Sequence, residues 1–270
     1  LNKPSFKVAL CIVIQPYQNK MARYTIQHWS QSEQEGGFWL LSVTIEACQN
    51  NSTKNSPPPS EFDFGCQFCI NDSTTSLALF QQTRPESSII LQFLSDQALS
   101  NQMEPHTLKI TPPIPSNQAI IKTCQTAKNV VLLGSEITIA NVFYLAKIRH
   151  SANQTGQTVA LLHCENHFPF RIKPALRMAP TLPPEAIGTS TLLEDWQIPN
   201  RLTSQSDLPG CFDGTLDKFF AYWLAKQNSH NPEPWHIIIC ASKETQKKCL
   251  AVSHSYDWVH CLGTQQSTND

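Results

Sequence analysis

The chain has 270 residues with a formal net charge of -1, and 15% of its residues are charged. That length supports one large domain or two medium ones, and the charge gives neither the basic field of a nucleic-acid binder nor an acidic tail. No apolar run approaches the ~20 residues of a membrane helix, so neither nucleic acid nor membrane is an expected partner.

Residues 1–115 read as β structure, with strand patterns over 6–14, 23–28, 38–46, 64–70, 77–81, 88–94 and 107–111. The apolar run VALCIVI at 8–14 lacks a small-x-small cleavage site and meets Gln15 and Pro16 at once, so it reads as a strand rather than a signal peptide. The chain starts at Leu1, which leaves open whether residues precede it. Short strands at even spacing predict a small antiparallel barrel or sandwich. Residues 47–60, with three consecutive prolines, predict an exposed loop, and PPIPSNQ at 112–118 predicts the linker.

After the linker, strand and helix patterns alternate. NVVLLG (129–134), TVALLH (158–163) and WHIIIC (235–240) read as buried strands. Helices are predicted over 138–149, after Gly214 with Leu216, Phe219, Phe220, Trp223 and Leu224 on one side, and over 243–251. Alternation of this kind means a parallel sheet. The expected fold is therefore a β-barrel (1–115) followed by a Rossmann-like α/β domain (116–270).

The ten cysteines are scattered, and Cys11, Cys69, Cys124 and Cys240 sit in or beside apolar runs. They read as reduced, mostly buried thiols, and the expected location is the cytoplasm. Cys66 and Cys69 form a lone CxxC, and no second pair completes a zinc site. His163, Glu165 and His167 lie in the order HCENH rather than HExxH and follow a strand, so no metal is expected there. Arg171 and Lys173 fit either a solvated loop or an anion contact. Thr215, or Asp213, is placed to cap the helix after Gly214. Trp196 reads as an aromatic anchor for its loop.

No folding rule accounts for residues 192–214, LLEDWQIPNRLTSQSDLPGCFDG, read here as lying between two short apolar strands. This stretch resembles the nucleotide domain of dihydroorotate dehydrogenase electron-transfer subunits, in the ferredoxin–NADP reductase superfamily. The resemblance implies a flavin-type barrel with FAD, an α/β domain with NAD(P), and electron transfer to a catalytic flavoprotein subunit or another protein. It also implies a crevice at the carboxyl ends of the parallel strands, lined by Gly134–Thr138, His163–Phe168 and Pro209–Thr215. Within it the cofactor-binding positions are Gly134, Ser135, Glu136, Thr138, Gly210, Cys211, Gly214 and Thr215.

The chain departs from the family pattern at each cofactor. Residues 132–140 match a motif of the form LLGGGxGIxP in hydrophobic register, but of its glycines only Gly134 is present. On the flavin side, Gly65–Gln67 has Cys66 inserted into a GQ pair, and Thr75–Leu79 stands at an Arg-Pro-x-Ser run without arginine. Ser95–Ala98 stands at a Gly-x-Gly-Thr turn without glycine. Cys240–Ser242 stands at a Cys-Gly-Pro turn with no four-cysteine group after it, so no iron–sulfur cluster is expected. The function implied is electron-transfer oxidoreductase-like with cofactor binding weakened or lost. The alternative is a non-catalytic scaffold that binds a protein or another small ligand.

Overall fold

A computed structural model describes residues 22–46, 64–71, 73–85, 88–99, 107–111, 115–152, 156–227 and 233–264. The expected strand at 6–14 and the expected loop at 47–60 lie outside the described residues.

Six strands form the first layer: β1 (Ala22–Glu33), β2 (Trp39–Glu46), β3 (Gln67–Ile70), β4 (Ala78–Thr83), β5 (Ser88–Ser95) and β6 (Thr107–Thr111). They make one antiparallel sheet in the order β3-β6-β1-β2-β5-β4. β1 is its corner. Residues 22–25 pair with β6, and Ile26 onward pairs with β2, with a register shift between Ile26 and His28. A bulge at such a point bends the strand and curls the sheet toward a barrel. Leu41, Val43 and Ile45 of β2 and Ile89, Leu91 and Phe93 of β5 are buried, while the residues between them are partly exposed. That period-two alternation gives the sheet one apolar inner face.

The second layer begins with α1 (Pro115–Thr126), β7 (Asn129–Ser135), α2 (Ile139–Ser151) and β8 (Thr158–His163). A two-strand ribbon of β9 (Lys173–Pro174) and β10 (Gly188–Thr189) follows, then α3 (Thr191–Asp195), β11 (Asn200–Ser204) and β12 (Phe212–Asp213). The chain closes with α4 (Leu216–Lys226), β13 (Trp235–Cys240), α5 (Lys243–Ser253) and β14 (Val259–Gly263). The six longer-range strands form a parallel sheet in the order β12-β11-β8-β7-β13-β14. The chain steps outward from β7 to β12, then returns to add β13 and β14 on the other side. Strand order therefore reverses between β7 and β13, where doubly wound sheets open a crevice at their carboxyl ends.

Successive side chains of β7 pack on opposite faces. Val130 and Leu132 join the core shared with α1, α2 and the barrel, and Val131 and Leu133 join the core under α4. The first of these cores is continuous from β2 and β5 through α2 to β8. At the seam Phe80 meets Phe143 at 5.6 Å, Phe143 meets Phe170 at 5.9 Å, and Phe168 meets Phe170 at 5.4 Å between ring centroids. Around these rings Gln82 Nε2 donates to the Tyr144 hydroxyl at 3.2 Å and Lys147 Nζ to Gln81 Oε1 at 3.0 Å. Gly36, in the turn between β1 and β2, has φ +69, and a Cβ there would lie 2.5 Å from His167 Cβ. Only glycine satisfies both that backbone and that approach.

Two sequence expectations need correction. From Pro115 onward the expected linker is the first turn of α1, because proline is well suited to a helix start. Residues 192–214 are not one connection between strands. They contain most of α3, all of β11 and all of β12.

Candidate functional site

Gly134 ends β7 at the switch point. A Cβ there would lie 2.6 Å from Val142 Cγ2 and 3.4 Å from Ile139 Cα, so its absence lets α2 pack directly on the strand. Residues Glu136–Thr138 form a 3-10 turn that leads into α2. Thr138 Oγ1 accepts the Ser135 N–H at 3.3 Å and lies within bonding distance of the Ser135 and Cys240 carbonyls. This buried hydroxyl ties the exits of β7 and β13 together across the switch point.

Glu136 occupies the turn in a left-handed conformation, φ 51. Its Oε1 accepts the Glu165 backbone N–H at 2.8 Å and stands 3.8 Å from His163 Nδ1. Burial raises the Glu136 pKa; the Glu165 N–H opposes that rise and the Glu165 carboxylate adds to it. Burial lowers the His163 pKa, against the pull of Glu165 and Asp217, which favours a neutral ring at neutral pH. His163 Nε2 is buried with no hydrogen-bond partner among the described residues. Burial pushes the Cys164 thiol up; the Glu136 charge adds to this and the Glu136 backbone N–H counters it.

Further bonds carry the network sideways along the carboxyl ends of the strands. The Cys164 N–H donates to the Thr203 carbonyl at 3.3 Å, and Ser204 Oγ donates to the Glu165 carbonyl at 2.8 Å. The Gly214 N–H donates to the Ser204 carbonyl at 3.0 Å, and Thr203 Oγ1 donates to the Gly214 carbonyl at 2.6 Å. Segments 134–138, 163–168 and 209–215 are thereby joined at one edge.

Within that edge each expected position has a local role. Gly210 has φ +78, and its carbonyl accepts the Gly188 N–H at 2.7 Å. A Cβ at Gly214 would meet the Phe212 ring at 2.8 Å. Cys211 packs partly buried against the core, and burial pushes its thiol up to about 11. Thr215 holds the N-cap position of α4, yet its hydroxyl makes no capping bond and is buried without a partner among the described residues. The expected hydroxyl cap is therefore absent; the Thr215 carbonyl instead receives the Phe219 N–H at 3.0 Å. Trp196 lies elsewhere. It caps α3, and its ring stacks on His150 at 6.4 Å.

The flavin-side positions also close on themselves. Gly65 has φ +86, and a Cβ there would run into the buried Asn117 side chain of α1. Ala78 and Leu79 are core residues of β4. Ser95 Oγ donates to the Gln97 carbonyl at 2.8 Å and accepts the Gln97 N–H at 3.1 Å, leaving Asp96 exposed. Cys66 and Cys69 are partly buried, and Cys69 Sγ donates to the Ser73 carbonyl at 3.2 Å. Among the described residues no group of three or more His, Cys, Asp and Glu is placed to hold a metal ion. Arg171 and Lys173 are exposed. No helix among the described residues is long and apolar enough to cross a membrane.

The opposite edge, at the amino ends of β8, β11 and β13, holds a cleft of about 590 Å³. Beneath it Arg149 is 2% exposed and donates to five acceptors: Thr158 Oγ1 and the carbonyls of Cys124, Ala127, Lys128 and Gln157. Sequence reading placed Arg149 only as the last residue of a helix. A cation ending an apolar helical stripe was the available signal for its burial.

The same architecture recurs in solved reductases. A cytochrome P450 reductase from Amycolatopsis superposes with a TM-score of 0.55 at 11% identity, covering 92% of this chain and 72% of that one. A ferredoxin-NADP+ reductase from Neisseria gonorrhoeae, solved with bound FAD and NADP, gives 0.50 at 8% identity over 91% of this chain and 99% of its own. A variant ferredoxin-NADP+ reductase from Plasmodium falciparum gives 0.50 at 12% identity, covering 89% and 95%. Neither a protein-family model nor a curated protein matches the sequence. The fold is that of the ferredoxin–NADP reductases, an antiparallel barrel-type sheet beside a parallel α/β sheet.

Proposed function

We propose that this chain is an electron-transfer-subunit-like protein of the dihydroorotate dehydrogenase type in which dinucleotide binding is weakened or lost. In this reading the two-layer frame is kept to engage a catalytic flavoprotein subunit or another protein. The observation that carries it is the Glu136 carboxylate, seated at the switch point and bonded to the Glu165 N–H. A dinucleotide there needs open backbone N–H groups at the start of α2 and no negative charge beside its phosphates. Glu136 instead uses a donor of the neighbouring strand exit and adds a carboxylate. At ~4 Å and an effective dielectric of ~20, one such like-charge contact costs about 4 kcal/mol, roughly a thousandfold in affinity. The residues present therefore do not fit NAD(P). The Thr75–Leu79 segment does not fit FAD either, because threonine and alanine cannot replace a bidentate arginine.

The test is calorimetric titration with NADH at low salt, using wild type and the Ser135→Gly/Glu136→Gly double variant. Wild type should show no saturable binding at micromolar concentrations, and the variant should gain at least about tenfold in affinity. Micromolar binding by wild type, unchanged in the variant, would overturn this reading. So would purified protein with the visible absorption bands of a flavin.

A further inference from the structure

The cleft at the amino edge of the parallel sheet has no part in the proposed crevice chemistry, and its walls are chemically consistent. Its volume, about 590 Å³, lies in the range typical of small-molecule sites. Trp196 and His150 line it together, with rings 6.4 Å apart and 23° from parallel. Gln157, Gln197 and Gln227 line it as well. Among the described residues that line it, Arg149 and His150 are the ionisable ones, and every N–H of the Arg149 guanidinium is already committed to the fold. The C-terminal ends of α2 and α4 reach this edge, and helix C-termini repel anions. The surroundings favour a flat, uncharged molecule whose edge can exchange hydrogen bonds with amides.

Gln197 adds a second, independent observation. It directly follows the C-cap of α3 with φ 63, the left-handed position where helices most often place glycine. The Ile198 N–H to Leu193 carbonyl bond at 2.9 Å holds the chain in that turn. Glycine would adopt this backbone without strain, yet the position carries a glutamine, and that residue lines the cleft.

We propose that this cleft binds a neutral planar heteroaromatic molecule of nucleoside size, stacked against Trp196 and read by the Gln157, Gln197 and Gln227 amides. The test uses the full chain, with adenosine, uridine and adenosine monophosphate as probes in calorimetric titration and thermal melting. Adenosine or uridine should bind saturably and raise the melting temperature, and the monophosphate should bind at least tenfold more weakly than adenosine. Trp196→Ala should abolish binding. Because Trp196→Ala also removes packing, Gln197→Gly supplies the cleaner arm: it should melt at a higher temperature than wild type while binding at least threefold more weakly. Glu136→Gln should leave nucleoside affinity unchanged, separating this cleft from the crevice. The proposal fails if neither nucleoside binds, if binding survives Trp196→Ala, if the monophosphate binds as tightly as adenosine, or if Glu136→Gln alone removes binding.

Discussion

The two edges of the parallel sheet end the same strands in opposite ways. At the carboxyl edge, polar groups bond to one another: Glu136 takes the Glu165 N–H, Ser204 takes the Glu165 carbonyl, and Thr203 takes the Gly214 carbonyl. At the amino edge one guanidinium gathers four carbonyls, that of Gln157 among them, and a hydroxyl. The carboxyl edge is cross-bonded between neighbouring strand exits, and the amino edge holds the cleft. The comparison shows that a crevice is set by who holds the donors, as well as by strand order.

The largest expected effect comes from breaking the amino edge. Arg149→Ala would leave the carbonyls of Cys124, Ala127, Lys128 and Gln157 without this donor, and it should destabilise the protein by about 3–5 kcal/mol in denaturant titration. Arg149→Lys should recover little, since one ammonium cannot span five acceptors. A loss below about 1 kcal/mol would mean that the edge is not organised by this residue. At the carboxyl edge, Gly134→Ala should cost about 1–3 kcal/mol because the new Cβ meets Val142 Cγ2. Adding Val142→Ala should return part of that loss, and no recovery would place the clash elsewhere.

The smallest effect sharpens the comparison through pH. His163 has a folded pKa below its ordinary 6.5, so its contribution is fully present above 6.5 and is lost as pH falls through the lower folded value. Glu136 slopes the opposite way: its folded pKa is above 4.5, so its contribution is present below 4.5 and lost as pH rises through the folded value. Melting curves of His163→Gln should therefore be flatter than those of wild type just below pH 6.5. An unchanged slope would show that the ring is not buried as a neutral base.

Much of the frame was readable from periodicity. The strand patterns at 107–111, 158–163 and 235–240 match β6, β8 and β13, and the helix expected over 138–149 is α2 within two residues at its end. β11 was not readable, and the reason is chemical. Its five residues, NRLTS, are all buried, yet four are polar. Asn200 bonds to Ser190 and Ile198, Arg201 to the Arg177 carbonyl, Thr203 to Gly214 and Ser204 to Glu165. A strand buried by hydrogen bonds carries no hydrophobic alternation to find. The carboxyl edge was legible as a set of segments, because the resemblance named all three. That Glu136 would bond to the neighbouring strand exit was not, since that bond depends on a left-handed turn no residue pattern announces.

The aromatic seam between the layers has a mechanical consequence. Phe80 of the barrel, Phe143 of α2 and Phe170 of the following loop interlock within one continuous core. Tilting the barrel against the α/β sheet would separate those rings and expose apolar surface. Parting the two layers therefore carries the cost of exposing that apolar surface to water.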